Sequence, residues 1–517
     1  MFTTLRQSMT WLHTWSGVTL GVILIVIFFM GALSVFDREI DRWMAPTTRL
    51  PARHASISLD ALRPRIDALL ADADQWRLVL PDARAPFLQL GFRSKSGPRN
   101  FAINPASGDI LPDSGTLGAT RFFYPFHYTL LIRAFNIGPW IVGAAAMAML
   151  VLLTSGVLIR TGLFANFFTY RPKGPLLRAS QDLHAVMGVI GLPFFFVIPL
   201  SGLVIFSAVY LPAGIDAAYP GKANVFFDEA VGAARLPKSG GPGVIGSLDA
   251  MRSSAERRWG AEAELLLVTN ARDANAVIEF RRNTKDRVSH DGEPIFFDRA
   301  GQMLGQGANR PARSTLDFIW GVHLLRFEHW PLRWLYFVAG LGGCALIVTG
   351  FVIWLEKRKT KPHPTGVRFV EALLIAASVG LVFATGGFFV ANRLLPQDTP
   401  SRAQWETVAF FALWAASVVH AGQRVAAGQA QGAWREQAWA VCIMAGAAPV
   451  LNWITTGDHL AKSLAQGQWA VAGVDIGLLA ASFVAAMAAR RLGRAGETAS
   501  RVEPQNRRSA QVETDHA

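Results

Sequence analysis

The sequence predicts an α-helical polytopic membrane protein of about eight spans, with two small α+β extracytoplasmic domains inserted between spans one and two and between spans three and four. Three observations carry that expectation. Apolar residues are gathered into long blocks, in a chain of 517 residues that is 51% hydrophobic and 17% charged with mean hydropathy +0.28. Lysine and arginine concentrate between alternate blocks. A histidine-bearing apolar segment occurs twice, and each copy is followed by a polar stretch long enough to fold.

The apolar blocks lie near residues 17–36, 139–159, 185–209, 334–355, 367–391, 404–419, 436–454 and 468–489, each close to the roughly 20 residues that cross hydrocarbon as a helix. Cytoplasmic loops collect positive charge. Arg160, Arg171, Lys173 and Arg178 lie between spans two and three, Lys357, Arg358, Lys359, Lys361 and Arg368 between four and five, and Arg490, Arg491 and Arg494 after span eight. Both termini are then expected in the cytoplasm, and residues 37–138 and 210–333 on the opposite face. Span one is expected to stay as an anchor, since DREIDR follows it rather than a small-residue cleavage pattern. Cys344 and Cys442 fall inside spans, so no disulfide or Cys-based metal site is expected outside the membrane. The net charge of +13 reflects cytoplasmic loops and a polar tail read as disordered. The basic residues sit where topology already requires them, and no nucleic-acid partner is expected.

The two external regions resemble each other. ISLDALRPRIDALL (57–70) and GSLDAMRSSAERRW (246–259) share Ser-Leu-Asp-Ala, with the serine as N-cap of an amphipathic helix. Strand-type runs follow: WRLVL, FLQLGF and RNFAIN in the first, ELLLVT, AVIEFR and PIFFD in the second. Each region closes on a turn before a short apolar strand, NPASGDIL and DRAGQML. The boundaries are 5–36 for span one, 37–120 for the first external domain, 121–210 for an interfacial segment with spans two and three, and 211–312 for the second domain. Residues 313–358 hold an interfacial segment with span four, 366–491 four accessory spans expected to form a separable bundle, and 492–517 the tail.

The histidines are the candidate functional residues. WLHTWSG (11–17) and DLHAVMG (182–188) open spans one and three, and His13 to Gly31 and His184 to Gly202 are equally spaced. LTSGVLIR and VTGFVIWLEKR each carry a small-residue–Gly pair at the cytoplasmic end of the spans that follow the external domains. His127 in PFHYTLL and His323 in WGVHLLRFEHW precede those same spans. A lone histidine beside interfacial tryptophans needs no special account. A register-matched pair of ionisable residues at a membrane helix points to function.

On these ordered histidines, the downstream glycines and the turn-Gly endings of the external modules, the chain resembles the PepSY-associated transmembrane family, whose members include inner-membrane ferric-siderophore reductases that carry haem b. The resemblance covers roughly residues 5–360 and not 367–517; Thr14 and Ala185 stand where the family often has a basic residue. It implies a bacterial inner (cytoplasmic) membrane protein with PepSY-like periplasmic domains and two haem b groups in the lipid bilayer. His13 and His184 would be the axial iron ligands of the cytoplasmic-side haem, and His127 and His323 those of the outer one. His329 could replace His323, and His420, at the end of span six, could contact a quinol or a further cofactor. Arg133 and Arg326 could steer an anion or a haem propionate. The implied activity is that of an oxidoreductase carrying electrons from a cytoplasmic or quinol donor to a ferric siderophore. Measured from His13 to Phe36, about 35 Å of helix separates the two ends, which calls for a deep outer site. The competing reading is a non-redox membrane anchor or permease whose soluble modules bind a peptide or envelope partner. His54, His290, His363 and His459 read as loop residues, and His516 as part of the tail. No nucleotide fingerprint or catalytic carboxylate pair is present.

Overall fold

The computed structural model describes residues 4–51, 57–70, 73–95, 97–160, 170–172, 174–232, 234–307, 310–358 and 364–514, with the backbone alone at 224, 227, 231 and 495–514. His54, His363 and His516 lie outside the described residues or side chains. Among the described residues, seven helices are long and apolar enough to cross a membrane, and a bent pair makes an eighth. The first, α1 (Leu5–Ser34), starts at a capping box in which Thr4 Oγ1 accepts from the Gln7 amide and the Gln7 side chain accepts from the Thr4 amide. α2 (Asp37–Met44) then runs outside the apolar block.

The external residues form one sheet rather than two. α3 (Leu59–Leu69) precedes β1 (Gln75–Val79), β2 (Leu88–Ser94) and β3 (Gly97–Ile103); α8 (Leu248–Trp259), numbered after the membrane helices between, precedes β4 (Ala263–Thr269), β5 (Val277–Arg282), β6 (Ile295–Asp298) and β7 (Met303–Gln306). The strand order is β3-β2-β1-β4-β5-β6-β7, all antiparallel, with Leu78 of β1 opposite Leu266 of β4. Each module would otherwise expose the edge of its first strand, and pairing β1 with β4 removes both edges. The expected helix and strands are present in each module, but the modules share one hydrophobic core. Leu78, Leu90, Leu266, Ile278 and Phe297 alternate onto the face covered by Leu62 and Ile66 of α3 and Met251 of α8. The segment NPASGDIL closes the first module with a single bridge, Ile103 to Ile110, where a strand was expected.

The repeated Ser-Leu-Asp-Ala clasps the two modules. Ser58 Oγ accepts from the Ala61 amide and Ser247 Oγ from the Ala250 amide, as expected of N-caps. The aspartates, however, cross over. Asp249 accepts from Ser58 Oγ and the Leu59 amide (2.8 Å), and Asp60 accepts from Ser247 Oγ and the Leu248 amide (2.8 Å). Each helix start is therefore satisfied by the other helix's carboxylate, which also lies at the favourable end of its dipole.

The membrane helices follow the same duplication. α4 (Phe123–Thr129) leads into α5 (Ile137–Ile159), and the third span is α6 (Leu176–Ile190) joined to α7 (Leu192–Ile205) at a bend of 63°. The bend falls where Pro193 cannot continue the amide ladder of α6. α9 (Pro311–Leu324) leads into α10 (Trp330–Glu356). α1 and α10 approach closely because Gly340 and Gly343 face Ala32 and Phe28: an added Cβ at Gly343 would lie 2.6 Å from the Phe28 ring.

The last four spans are α11 (Thr365–Leu394, with a π turn at Ala376–Gly380), α12 (Arg402–Ala426), α13 (Ala430–Thr456) and α14 (Trp469–Thr514), of which Trp469–Arg494 is apolar enough to span. The helix extends to Thr514, into the stretch read from sequence as a disordered tail, in keeping with its Ala, Arg, Glu and Gln content. These spans pack against segments that precede them in the chain. Trp43 of α2 is fully buried, donates from Nε1 to Asp475 (2.7 Å) and lies under the Arg393 guanidinium at 4.7 Å. Arg49 pairs with Asp458 (2.7 Å) and Asn452 (2.9 Å). Glu406, at 0% exposure, accepts from Thr116 (2.6 Å) and Asn392 (2.7 Å) beside Arg402. Phe122, Phe123 and Phe126 pack into Phe388, Phe389 and Phe410.

Two outcomes follow. Asp60→Ala in the full chain should weaken the clasp by about 1 kcal/mol, read as faster amide exchange at 57–70 and 246–259 together. Burial raises the Asp60 carboxyl, but the bonds from Ser247, Leu248 and Asp249 outweigh it and hold the pKa below the ordinary value. The contribution is therefore present above the ordinary carboxylate pKa and fades as pH falls through the depressed one; exchange confined to one module would contradict the clasp. Glu406→Ala should destabilise the detergent-solubilised chain by about 3 kcal/mol, since it strands a buried Arg402, against about 1 kcal/mol for Thr116→Val, compared by thermal melting.

Candidate functional site

Four histidines meet as two pairs. The His13 and His184 ring centroids are 6.3 Å apart with the rings at 86°, and His127 and His323 are 6.1 Å apart at 32°. The structure thus brings together His13 with its register-matched partner His184, and His127 with His323, which precede the corresponding spans. Among the described residues, no three His, Cys, Asp or Glu side chains converge, so the histidines meet only in twos.

Every ring is oriented through Nδ1 by a neighbouring helix. His13 Nδ1 lies 3.0 Å from the Leu152 carbonyl and 3.1 Å from Ser155 Oγ on α5; His184 Nδ1 lies 2.9 Å from the Leu346 carbonyl and 3.2 Å from Thr349 Oγ1 on α10. His127 Nδ1 lies 2.8 Å from the Ile27 carbonyl of α1. A carbonyl only accepts, so in these three rings Nδ1 carries the proton and Nε2 the free lone pair. His323 Nδ1 lies 2.9 Å from Ser201 Oγ of α7, and that hydroxyl already donates to the Val197 carbonyl (2.6 Å). Nδ1–H must then be the donor to Ser201, which gives His323 the same tautomer.

The paired glycines are explained by these rings. A Cβ at Gly31 would lie 2.8 Å from His127, one at Gly202 3.1 Å from His323, and one at Gly156 or Gly350 3.2 Å from His13 or His184. Each histidine thus lies close against a glycine on another helix, most tightly at Gly31, where an added Cβ would force the His127 ring to shift. The Ser155-Gly156 and Thr349-Gly350 pairs therefore supply a hydroxyl acceptor and a clear face to the inner rings. Sequence reasoning noted those pairs without giving them a role, although their repetition was the available signal.

The outer pair opens on a cavity of about 550 Å³. Ile27, Phe28, Phe194 and Ile198 line its deep part, and Arg38, Arg84, Lys285, Arg326 and Tyr124 its mouth beneath the sheet. The site is deep: it is fixed to α1 at Ile27, and from His13 to Ile27 the helix rises about 21 Å. Phe126, next to His127, is buried against Phe410 and Trp414, so the accessory spans wall one side of the outer pair.

The other candidates lie elsewhere. His329 caps α10 by accepting from the Leu332 amide (3.2 Å) and is not part of the pair. His420 Nε2 lies 2.7 Å from Glu436, which Arg424 also binds, between α12 and α13. His459 caps a short helix, accepting from the Lys462 amide. Arg133 is exposed, whereas Arg326 lines the cavity. His290 is not a solvated loop residue, for it stacks on Trp320 at 6.2 Å.

With the geometry in place, the chain matches the PepSY-associated TM region over residues 10–357. It belongs to the PepSY-associated transmembrane family. A relative in Pseudomonas aeruginosa, carrying the name of an uncharacterised protein, is 27% identical over 299 residues, covering 54% of this chain and 74% of the relative. The PepSY-associated match contains all four paired histidines and the whole seven-stranded sheet, and stops before the last four spans.

Proposed function

We propose that this protein holds two haem b groups, one between His13 and His184 and one between His127 and His323, and carries electrons across the membrane to a ferric siderophore on its outer side. The observation that carries the reading is the pair spacing combined with the tautomers. With metal–imidazole bonds of about 2 Å and a ring radius of about 1 Å, two imidazoles on opposite sides of one metal put their centroids about 6 Å apart, close to both distances found here. Four Nε2 lone pairs on rings held through Nδ1 are donors that would suit haem iron, and His13, His184, His127 and His323 would hold it. Each haem would supply a one-electron carrier inside the bilayer.

The chain's own residues support the same reading. Carbonyls and hydroxyls hold the four rings before any ligand binds, which limits reorganisation. Phe28, Phe194 and Ile198 give the cavity an apolar lining, and Arg38, Lys285 and Arg326 in the same lining suit carboxylates. The deep outer site shortens the crossing relative to a pair at Phe36. The ferric siderophore as acceptor, the cytoplasmic or quinol donor and the inner-membrane location rest on the family resemblance.

His13→Ala or His184→Ala should each remove about half of the haem, since one imidazole leaves an axial position open; His127→Ala or His323→Ala should remove the other half. Gly31→Leu should reproduce the outer loss by displacing the His127 ring. Pyridine haemochrome per mole of purified protein measures all five, and full retention in both His13→Ala and His127→Ala would sink the proposal.

A further inference from the structure

A smaller cavity of about 110 Å³ lies in the second module, where the loop after β5 crosses α9. Arg281 and His290 line one wall, and Arg313 and Trp320 of α9 the other, with Asp291 as the one carboxylate among the lining residues. Both guanidinium groups are anchored from behind. Arg281 Nε donates to Glu279 (2.5 Å) and Arg313 Nε to Asp317 (2.8 Å), neither of which lines the cavity. A guanidinium has five N–H donors, so each keeps donors for a guest while its orientation is fixed.

Among the described residues, two further polar atoms here are buried without a hydrogen-bond partner, Trp320 Nε1 and His290 Nδ1. Buried polar groups are normally satisfied, and leaving a donor unmet costs about 1–3 kcal/mol. The electrostatic setting says what kind of guest would meet them. Burial lowers the His290 pKa to about 4, followed by the charges of Arg326, Arg313 and Arg281, with Asp291 alone opposing. The ring is therefore neutral at physiological pH.

We infer that this cavity binds a compact oxyanion, a carboxylate or a phosphate, between the Arg281 and Arg313 guanidinium groups and the Trp320 indole N–H. Fixed N–H donors in a small pocket match that chemistry. The pocket is rigid: the His290 amide donates to the Asp317 carbonyl (2.9 Å), and a Cβ at Gly321 would lie 1.5 Å from the Val288 carbonyl, so the loop sits directly on α9. Its position gives the anion a use. Trp320 also lines the large cavity that contains His127 and His323, so the two cavities share this residue. As a docking point for the anionic groups of an external ferric chelate, the pocket rests on the electron-transfer reading; as an anion site it stands on its own geometry.

Calorimetric titration of the full chain in detergent, with citrate in one arm and inorganic phosphate in the other at matched ionic strength, tests the site. Saturable binding of at least one probe is expected, tighter citrate identifying a carboxylate ligand and tighter phosphate a phosphate. Arg281→Gln, whose side chain is 42% exposed, should weaken it at least tenfold, and Trp320→Phe, which keeps the ring and loses the N–H, at least threefold. Absence of saturation by either anion, or unchanged affinity in both variants, overturns the inference. Haem content measured in the same samples separates the two proposals, because anion binding does not depend on it.

Discussion

An imidazole placed among membrane helices must spend its N–H on an acceptor from a neighbouring helix, because no water is there to take it. Four such bonds organise this protein. They run from His13 to α5, from His184 to α10, from His127 to α1 and from His323 to α7, so each joins a helix before an external module to one after it, or the reverse. Fixing Nδ1 also fixes the direction of Nε2, and the glycine opposite each ring fixes how near the partner helix can come. Tautomer, ring plane and helix approach are consequences of one requirement.

The external sheet applies the same duplication outside the bilayer. Modules separated by two spans in the chain meet along β1 and β4, and their helix starts exchange carboxylates through Asp60 and Asp249. That clasp holds the two halves side by side above the membrane, where the histidines of one half face those of the other. A seven-stranded sheet over the mouth of the outer cavity also explains why Lys285 after β5 and Arg84 between β1 and β2 reach the same rim.

Much of this was legible in local sequence, because local repeats record local contacts. The equal spacing of His13–Gly31 and His184–Gly202 marks two glycines that receive rings from α4 and α9, and the strands follow their two-residue alternation. What sequence could not show were contacts between distant segments that carry no periodicity. The β1–β4 pairing is one, since nothing in a strand names the strand beside it. Another is the buried set of Glu406, Arg402, Asn392 and Thr116, which joins Thr116 to a segment far along the chain. His290 was misread for the same reason, as its burial comes from α9, which lies well beyond it in the chain.

The accessory spans gain a purpose from the strain beside them. Between α4 and α5, Leu130, Leu131, Phe135 and Asn136 all have positive φ, at 51°, 58°, 49° and 56°. Residues other than glycine rarely adopt that region, at a cost of order 1 kcal/mol or more each, and it persists only where surroundings enforce it. α4 has seven residues, too few to be stable alone, and it carries His127. Its position must come from packing. Leu130 lies between the cluster built around α1 and α10 and the one formed with Phe388 and Phe410, and Trp43, Arg49 and Glu406 fasten the adjoining chain to the same four spans. Spans five to eight thus pack against the short, strained helix that carries His127, although the duplicated frame ends before them.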